Sequence, residues 1–198
     1  KWGITCEKKN KSMISQVMQL VRKVLGVEPI KPYEYAFRKA ILIRSGQPQV
    51  LAFFRSYGFP QGRKAGKVRV PTQIFESNDE ALIKAFLRGL FSTDGCFSFQ
   101  VGKSPRVEIQ VKSEKLRDNF IHLTDRLGFS FRSYAYLPPR GKNKAPLQVA
   151  YTTQTKQVVR WMEEIGSIKD SHIEQYNLWK KIIETRKFRD TGSAKGAG

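Results

Sequence analysis

The chain has 198 residues, with 36 Lys and Arg against 17 Asp and Glu and a formal net charge of +19. Hydrophobic residues make up 40% and aromatic residues 12%, which excludes a disordered basic tail and leaves one or two small folded domains. The charge favours a polyanionic partner through counterion release. No apolar run reaches the ~20 residues of a bilayer span, and Cys6, Cys96, His122 and His172 are too isolated in sequence to suggest a disulfide framework or a zinc ligand set.

In chain order, residues 1–6 read as a strand that leads into an amphipathic helix over 13–26, with Ile14, Val17, Met18, Val21 and Leu25 at helical spacing. Strand-like stretches at 34–37 and 40–44 precede a second helix at 51–58. Residues 60–69, rich in Gly, Arg and Lys, read as an exposed basic linker. The apolar run Ala81-Leu82-Ile83-Lys84-Ala85-Phe86-Leu87 then closes on Leu87-Arg88-Gly89-Leu90-Phe91-Ser92-Thr93-Asp94-Gly95. A helix apolar nearly all round is expected to be buried. Gly95 is expected to end it at positive φ. Spacing alone leaves two readings of Asp94: a metal ligand beside a polyanion, or a solvated acid before a glycine cap.

Strands follow at 97–101 and 106–112, then a helix at 116–128. Further strands at 130–137 and 147–153 flank the loop Arg140-Gly141-Lys142-Asn143-Lys144, and helices follow at 158–166 and 175–183. The order strand, helix, strand, strand, helix therefore occurs twice, with Gly26 answering Gly128 and Gly58 answering Gly166. A helix and a strand precede the second unit but not the first. The expectation is that a first copy of that helix is absent, cleaved or supplied by another segment or chain. The organisation expected is a first half at 1–59, a linker at 60–76, a second half at 77–186 and a flexible tail at 187–198.

Strand alternation gives each sheet a polar face. Ser98, Gln100, Arg106, Glu108 and Gln110 form that face in the first two strands of the second half, while Val107, Ile109 and Val111 point the other way. Arg132, Tyr134 and Gln148 are the candidates in the next two strands, and Thr5, Arg38 and Arg44 in the first half. These residue types suit base edges in a DNA major groove; a merely solvated face is the alternative. Loop residues Lys142 and Lys144 suit phosphates.

The nine residues 87–95 resemble the L-A-G-L-I-D-A-D-G signature of the LAGLIDADG homing endonucleases, agreeing at the first, third, fourth, eighth and ninth letters. Residues 85–95 are most similar to the variant in intein and archaeal intron members, and Val70-Pro71-Thr72-Gln73-Ile74-Phe75 resembles the lead-in to a second motif. The resemblance implies an α+β fold, a pseudo-two-fold duplicated αββαββα arrangement whose antiparallel sheets form a DNA-binding groove. It implies site-specific, Mg²⁺-dependent hydrolysis of double-stranded DNA, with Asp94 as the metal-binding acid and Gly89 at a close helix–helix interface. Ser92 replaces the sixth-letter Asp. Lys112 stands near a position that orders water in the family, with phosphate binding as its alternative. The competing function is a non-cleaving relative, such as an intron-splicing maturase or a transcription regulator. A ribosome-associated RNA binder is more distant, because it leaves the repeat unexplained. The expected setting is intracellular, an archaeal cytoplasm or an organelle matrix.

Overall fold

The computed structural model of the chain describes residues 2–26, 33–34, 39–59, 66–138 and 146–193. The first half contains β1 (Trp2–Glu7), α1 (Lys11–Leu25), β2 (Tyr33–Glu34), β3 (Ala40–Ser45) and α2 (Pro48–Ser56). A short α3 (Thr72–Phe75) precedes α4 (Glu80–Asp94), β4 (Gly95–Ser98), β5 (Arg106–Val111) and α5 (Glu114–Arg126). Then come β6 (Arg132–Tyr136), β7 (Leu147–Thr152), α6 (Thr155–Glu164) and α7 (Asp170–Ser193).

Both sheets are antiparallel, and the fold is α+β. The first sheet has the order β1-β3-β2, and the second β4-β5-β7-β6. Without β4 the second order is β5-β7-β6, which matches the first strand for strand. The duplication read in the residues is therefore a duplication of topology. Its punctuation repeats too: Gly26 and Gly128 follow α1 and α5 at φ 62° and 73°, and Gly58 and Gly166 follow α2 and α6 at 72° and 70°. All four are left-handed positions that penalise a Cβ.

The two cores differ in size. The larger lies between the second sheet and its helices, centred on Trp161, whose ring is 5.1–5.8 Å from Phe91, Phe120, Phe129 and Phe131. Val70 and Ile74 belong to this core, so the chain ahead of α4 is packed into the second half. The smaller core is Cys6, Met13 and Ile43, with Ile168 of the second half packed against it.

Several expectations change at α4. Its buried face is Ile83, Leu87, Phe91 and Ser92, but Ala81, Leu82, Ala85, Arg88 and Gly89 are exposed. The helix is thus half open, and Gly89 meets no neighbour within 4 Å of its Cβ position. Gly95 has φ −96° and ψ 168°, so it is extended, not left-handed. Glycine is required there for another reason: a Cβ would strike the ring and carbonyl of Phe91. β4 ends at Ser98, and α7 runs on to Ser193, beyond the end of apolar periodicity.

These glycines give opposite expectations. Gly95→Ala should destabilise the fold by about 3 kcal/mol, because the clash is with backbone as well as ring. Gly89→Ala should be neutral or stabilise by up to about 1 kcal/mol, since it adds helix propensity in open space. Urea denaturation of both variants checks the contrast, and equal losses would contradict it.

Candidate nucleic-acid interface

The strand register sorts the second sheet into two faces. Cys96 pairs with Glu108 and Ser98 with Arg106; Glu108 pairs with Tyr151 and Gln110 with Val149; Tyr151 pairs with Arg132 and Val149 with Tyr134. Ser98, Arg106, Glu108, Gln110, Arg132 and Tyr134 therefore share the face turned away from the large core, as their alternation requires. Tyr136 and Tyr151 join them.

That face is organised before any ligand arrives. The Arg106 guanidinium lies 4.2 Å from the Tyr151 ring centre and donates to the Tyr134 hydroxyl at 3.0 Å. It also pairs with Glu108 at 2.5 Å. Gln110 Nε2 donates to Glu108 Oε1 at 2.8 Å, and the Tyr136 hydroxyl is 3.4 Å from Gln110 Oε1. The aromatic rings also touch, with Tyr134 5.6 Å from Tyr151 and 6.1 Å from Tyr136. This layer covers Val149, which is fully buried although it points to the polar face.

Two sequence expectations are corrected here. Gln148 pairs with Val111 and so faces the helices; it is buried and accepts a hydrogen bond from Arg117 of α5. Gln100 lies in the turn after β4, outside the sheet. In the first sheet Gly3 pairs with Arg44, and Thr5 and Tyr33 both pair with Leu42, so Thr5 and Arg44 lie on the face opposite Cys6 and Ile43. Arg44 is 5.6 Å from the Tyr33 ring centre. Arg38, Lys142 and Lys144 lie outside the described residues.

Asp94 ends α4 as an exposed side chain. Thr93 donates to its Oδ2 at 2.9 Å. Lys112 is exposed just past β5. Among the described residues no group of three or more His, Cys, Asp or Glu is arranged to hold a metal ion. An Asp94-bound cation would need the rest of its shell from elsewhere. The donor type fits Mg²⁺, which prefers hard oxygens and keeps much of its water.

Beneath Asp94 is a buried polar junction that periodicity did not reveal. Ser92 Oγ donates to the Arg88 carbonyl at 2.6 Å, accepts from Ile168 N at 3.0 Å and lies 3.2 Å from Ser167 Oγ. Ser167 Oγ is 3.0 Å from His172 Nδ1. The His172 ring packs on Phe91 at 4.7 Å and lies near the Gly95 backbone. Burial, helped by the charge of Lys169, pushes the His172 pKa down to about 4. The half-buried Lys169 is close enough to act electrostatically on Cys6, Glu7, Cys96 and His172, groups from both halves. Burial raises the Cys96 thiol, and nearby Glu108 adds to the effect. The signal for this junction was a Ser at the sixth motif letter and a lone His near the start of the last helix, neither of which names its partner.

Residues 81–166 match the model of a family described as a LAGLIDADG-like domain. Over 119 residues, 60% of this chain, the sequence is 28% identical to an A-type ATP synthase subunit from Pyrococcus abyssi. Over 101 residues it is 35% identical to the replicative DNA helicase DnaB of Synechocystis sp.. The chain spans 11% of the length of each of these relatives. The fold is similar to that of I-DmoI in complex with DNA and Mn, with a TM-score of 0.55, 17% identity and coverage of 83% of this chain and 79% of that one. It is also similar to the N-terminal LAGLIDADG domain of DUF199/WhiA, with a TM-score of 0.52, 14% identity and coverage of 83% and 72%. No helix among the described residues is long and apolar enough to cross a membrane.

His172 carries a pH signature. Its folded pKa lies below the ordinary 6.5, so the unfolded chain binds more protons between those values. The stability it contributes is complete above pH 6.5 and is lost as pH falls towards 4. The loss should approach about 3 kcal/mol. His172→Gln should flatten that part of the profile, measured by urea denaturation from pH 7 to 4; an unchanged slope would refute the assignment.

Proposed function

We propose that this chain, whose residues 81–166 are a LAGLIDADG-like domain, is a site-specific double-stranded DNA endonuclease of the homing type. The observation that carries the reading is the placement of Asp94. An exposed carboxylate ends the motif helix immediately before β4, whose outer face continues into the Arg106–Glu108–Tyr151 array. Support comes from the +19 charge and from similarity to a fold crystallised with DNA and Mn.

Residues 1–59 and 77–186 act as two DNA-contacting halves. Arg106, Gln110, Arg132 and Tyr134 meet base edges or sugar-phosphate in one half-site, and Thr5 and Arg44 in the other. Ser98 and Glu108 complete the face that orients the duplex. Asp94 supplies a hard oxygen beside the scissile phosphate. Asp94 would hold a divalent cation, Mg²⁺ or a similar ion, which when bound would supply charge stabilisation at the phosphate and acidification of the attacking water. Lys169, near Cys96 and both halves, holds a positive charge towards the same phosphate; Lys112 serves a neighbouring one. Cutting both strands calls for a second acid. The open face of α4, with Ala85 and Gly89 exposed, suits a second helix that brings one, from another segment or chain.

Salt tests the binding. With about six to ten phosphate contacts, duplex affinity should fall roughly 10³–10⁵-fold between 50 and 200 mM salt. A flat titration would refute the groove.

Cleavage is tested on a randomised supercoiled plasmid library in Mg²⁺, with sequencing of the ends. The chain should nick at a defined site. Asp94→Asn should lower nicking by at least about 10³-fold, on the scale of losing a charge-stabilising group. It should leave binding equal or tighter, because a charge facing phosphates is removed. If Asp94→Asn nicks normally, Asp94 is only a helix-end residue. If both proteins bind a selected site and neither nicks it, the chain is a non-cleaving binder.

A further inference from the structure

We infer that residues 165–172 form a latch that sets the carboxylate end of α4 against the first half. One side of the latch grips α4. Ile168 N donates to the buried Ser92 Oγ, Arg88 Nε donates to the Ile165 carbonyl at 2.5 Å, and the His172 ring packs on Phe91 near the Gly95 backbone. These contacts involve the residues on both sides of Asp94.

The other side grips α1 by exchanging helix caps. An α-helix leaves its first backbone N–H groups without partners, and its own N-cap residue normally serves them. Neither helix does so here. Asn10, the N-cap residue of α1, makes no side-chain cap to its own helix. Its buried Oδ1 instead accepts from Ser171 N at the start of α7, at 3.2 Å. In return Asp170 Oδ2 accepts from Ser12 N of α1 at 3.0 Å. Between these bonds Ile168 enters the small core beside Cys6, Met13 and Ile43. Lys169 sits inside the latch, with its backbone N–H held by Ser167 Oγ at 3.1 Å.

Each half therefore completes polar groups that the other leaves unmet, and the two grips are a few residues apart on the α6–α7 connection. Displacing the first half strips caps from two helices at once. Asn10, Asp170, Ser92 and Ser167 are positioning residues: they fix where Asp94 and Lys169 stand relative to the first sheet. The consequence for strand cleavage rests on the function proposed above, but the coupling itself does not.

The test needs no DNA, so its failure is distinguishable from failure of the nuclease reading. Nitroxide labels are placed at the exposed positions Gln19 of α1 and Ala81 of α4, in a Cys96→Ser background, and their separation is measured by pulsed electron resonance. The full chain should give one narrow distribution. Asn10→Ala, Asp170→Ala and Ser92→Ala should each broaden it at least twofold while far-UV circular dichroism is retained. Asp170→Asn, which keeps the acceptor and loses the charge, should restore the narrow distribution. Unchanged widths in the alanine variants, or broadening by Asp170→Asn equal to that by Asp170→Ala, would overturn the latch. Should an alanine variant fail to fold, the Asp170→Asn and Ser92→Thr pair decides: both retain an oxygen at the grip, and a broadened distribution in both would overturn it as well.

Discussion

The buried hydroxyl of Ser92 is the constraint around which the second half is arranged. It is 1% exposed and has three polar neighbours: the Arg88 carbonyl, the Ile168 amide and the Ser167 hydroxyl. A polar group so deeply buried is tolerated only when its hydrogen bonds are made. Keeping them made requires the α6–α7 connection to lie directly against the last turn of α4. That contact in turn places His172 on Phe91, and Phe91 leaves no room for a side chain at Gly95. The direction in which the chain leaves α4, and so the outlet of Asp94, follows from this packing.

The halves are unequal in what holds them. The second has a broad aromatic core about Trp161, where edge-to-face contacts accompany extensive apolar burial. Among the described residues the first has a cluster of only three buried apolar side chains, Cys6, Met13 and Ile43, with Val21 and Val50 buried apart from it, and it borrows Ile168. So small a core supplies little stability alone. The exchanged caps between α1 and α7, and a hydrogen bond from Gln73 Nε2 to the Ser56 carbonyl, add polar contacts between the halves.

The polar face of the second sheet is held by its own bonds. Arg106 is engaged by Tyr134, Tyr151 and Glu108, and Gln110 by Glu108. A side chain already fixed loses less rotamer freedom when a ligand arrives, which is the advantage of preorganisation. Glu108 limits the net positive charge of the array. Broad attraction for a polyanion comes from the total charge, while the engaged Arg, Gln and Tyr side chains offer shape and hydrogen-bond pattern.

Much of this molecule was legible in its residues. The repeated Leu-Gly helix ends, the alternation of residues 106–111 and the acid at the close of 87–95 are local signals, because helix periodicity, strand alternation and left-handed glycine depend on near neighbours. They determined the duplicated α+β order, the polar face of β5 and the position of Asp94 at a helix end. What depended on distant contacts was not legible. Gln148 looked suited to the polar face, but strand pairing put it opposite Val111 and under Arg117. An apolar α4 looked wholly buried, yet Ala85 and Gly89 lie open because no element covers them among the described residues. Gly95 looked like a left-handed cap, and only the approach of Phe91 showed that it serves clearance. Asn10 with Ser171, Asp170 with Ser12, and Ser92 with Ile168 are pairs far apart in the chain, and no local pattern names a partner. The tertiary structure decided them, because a buried polar group is satisfied by whatever the fold brings within reach.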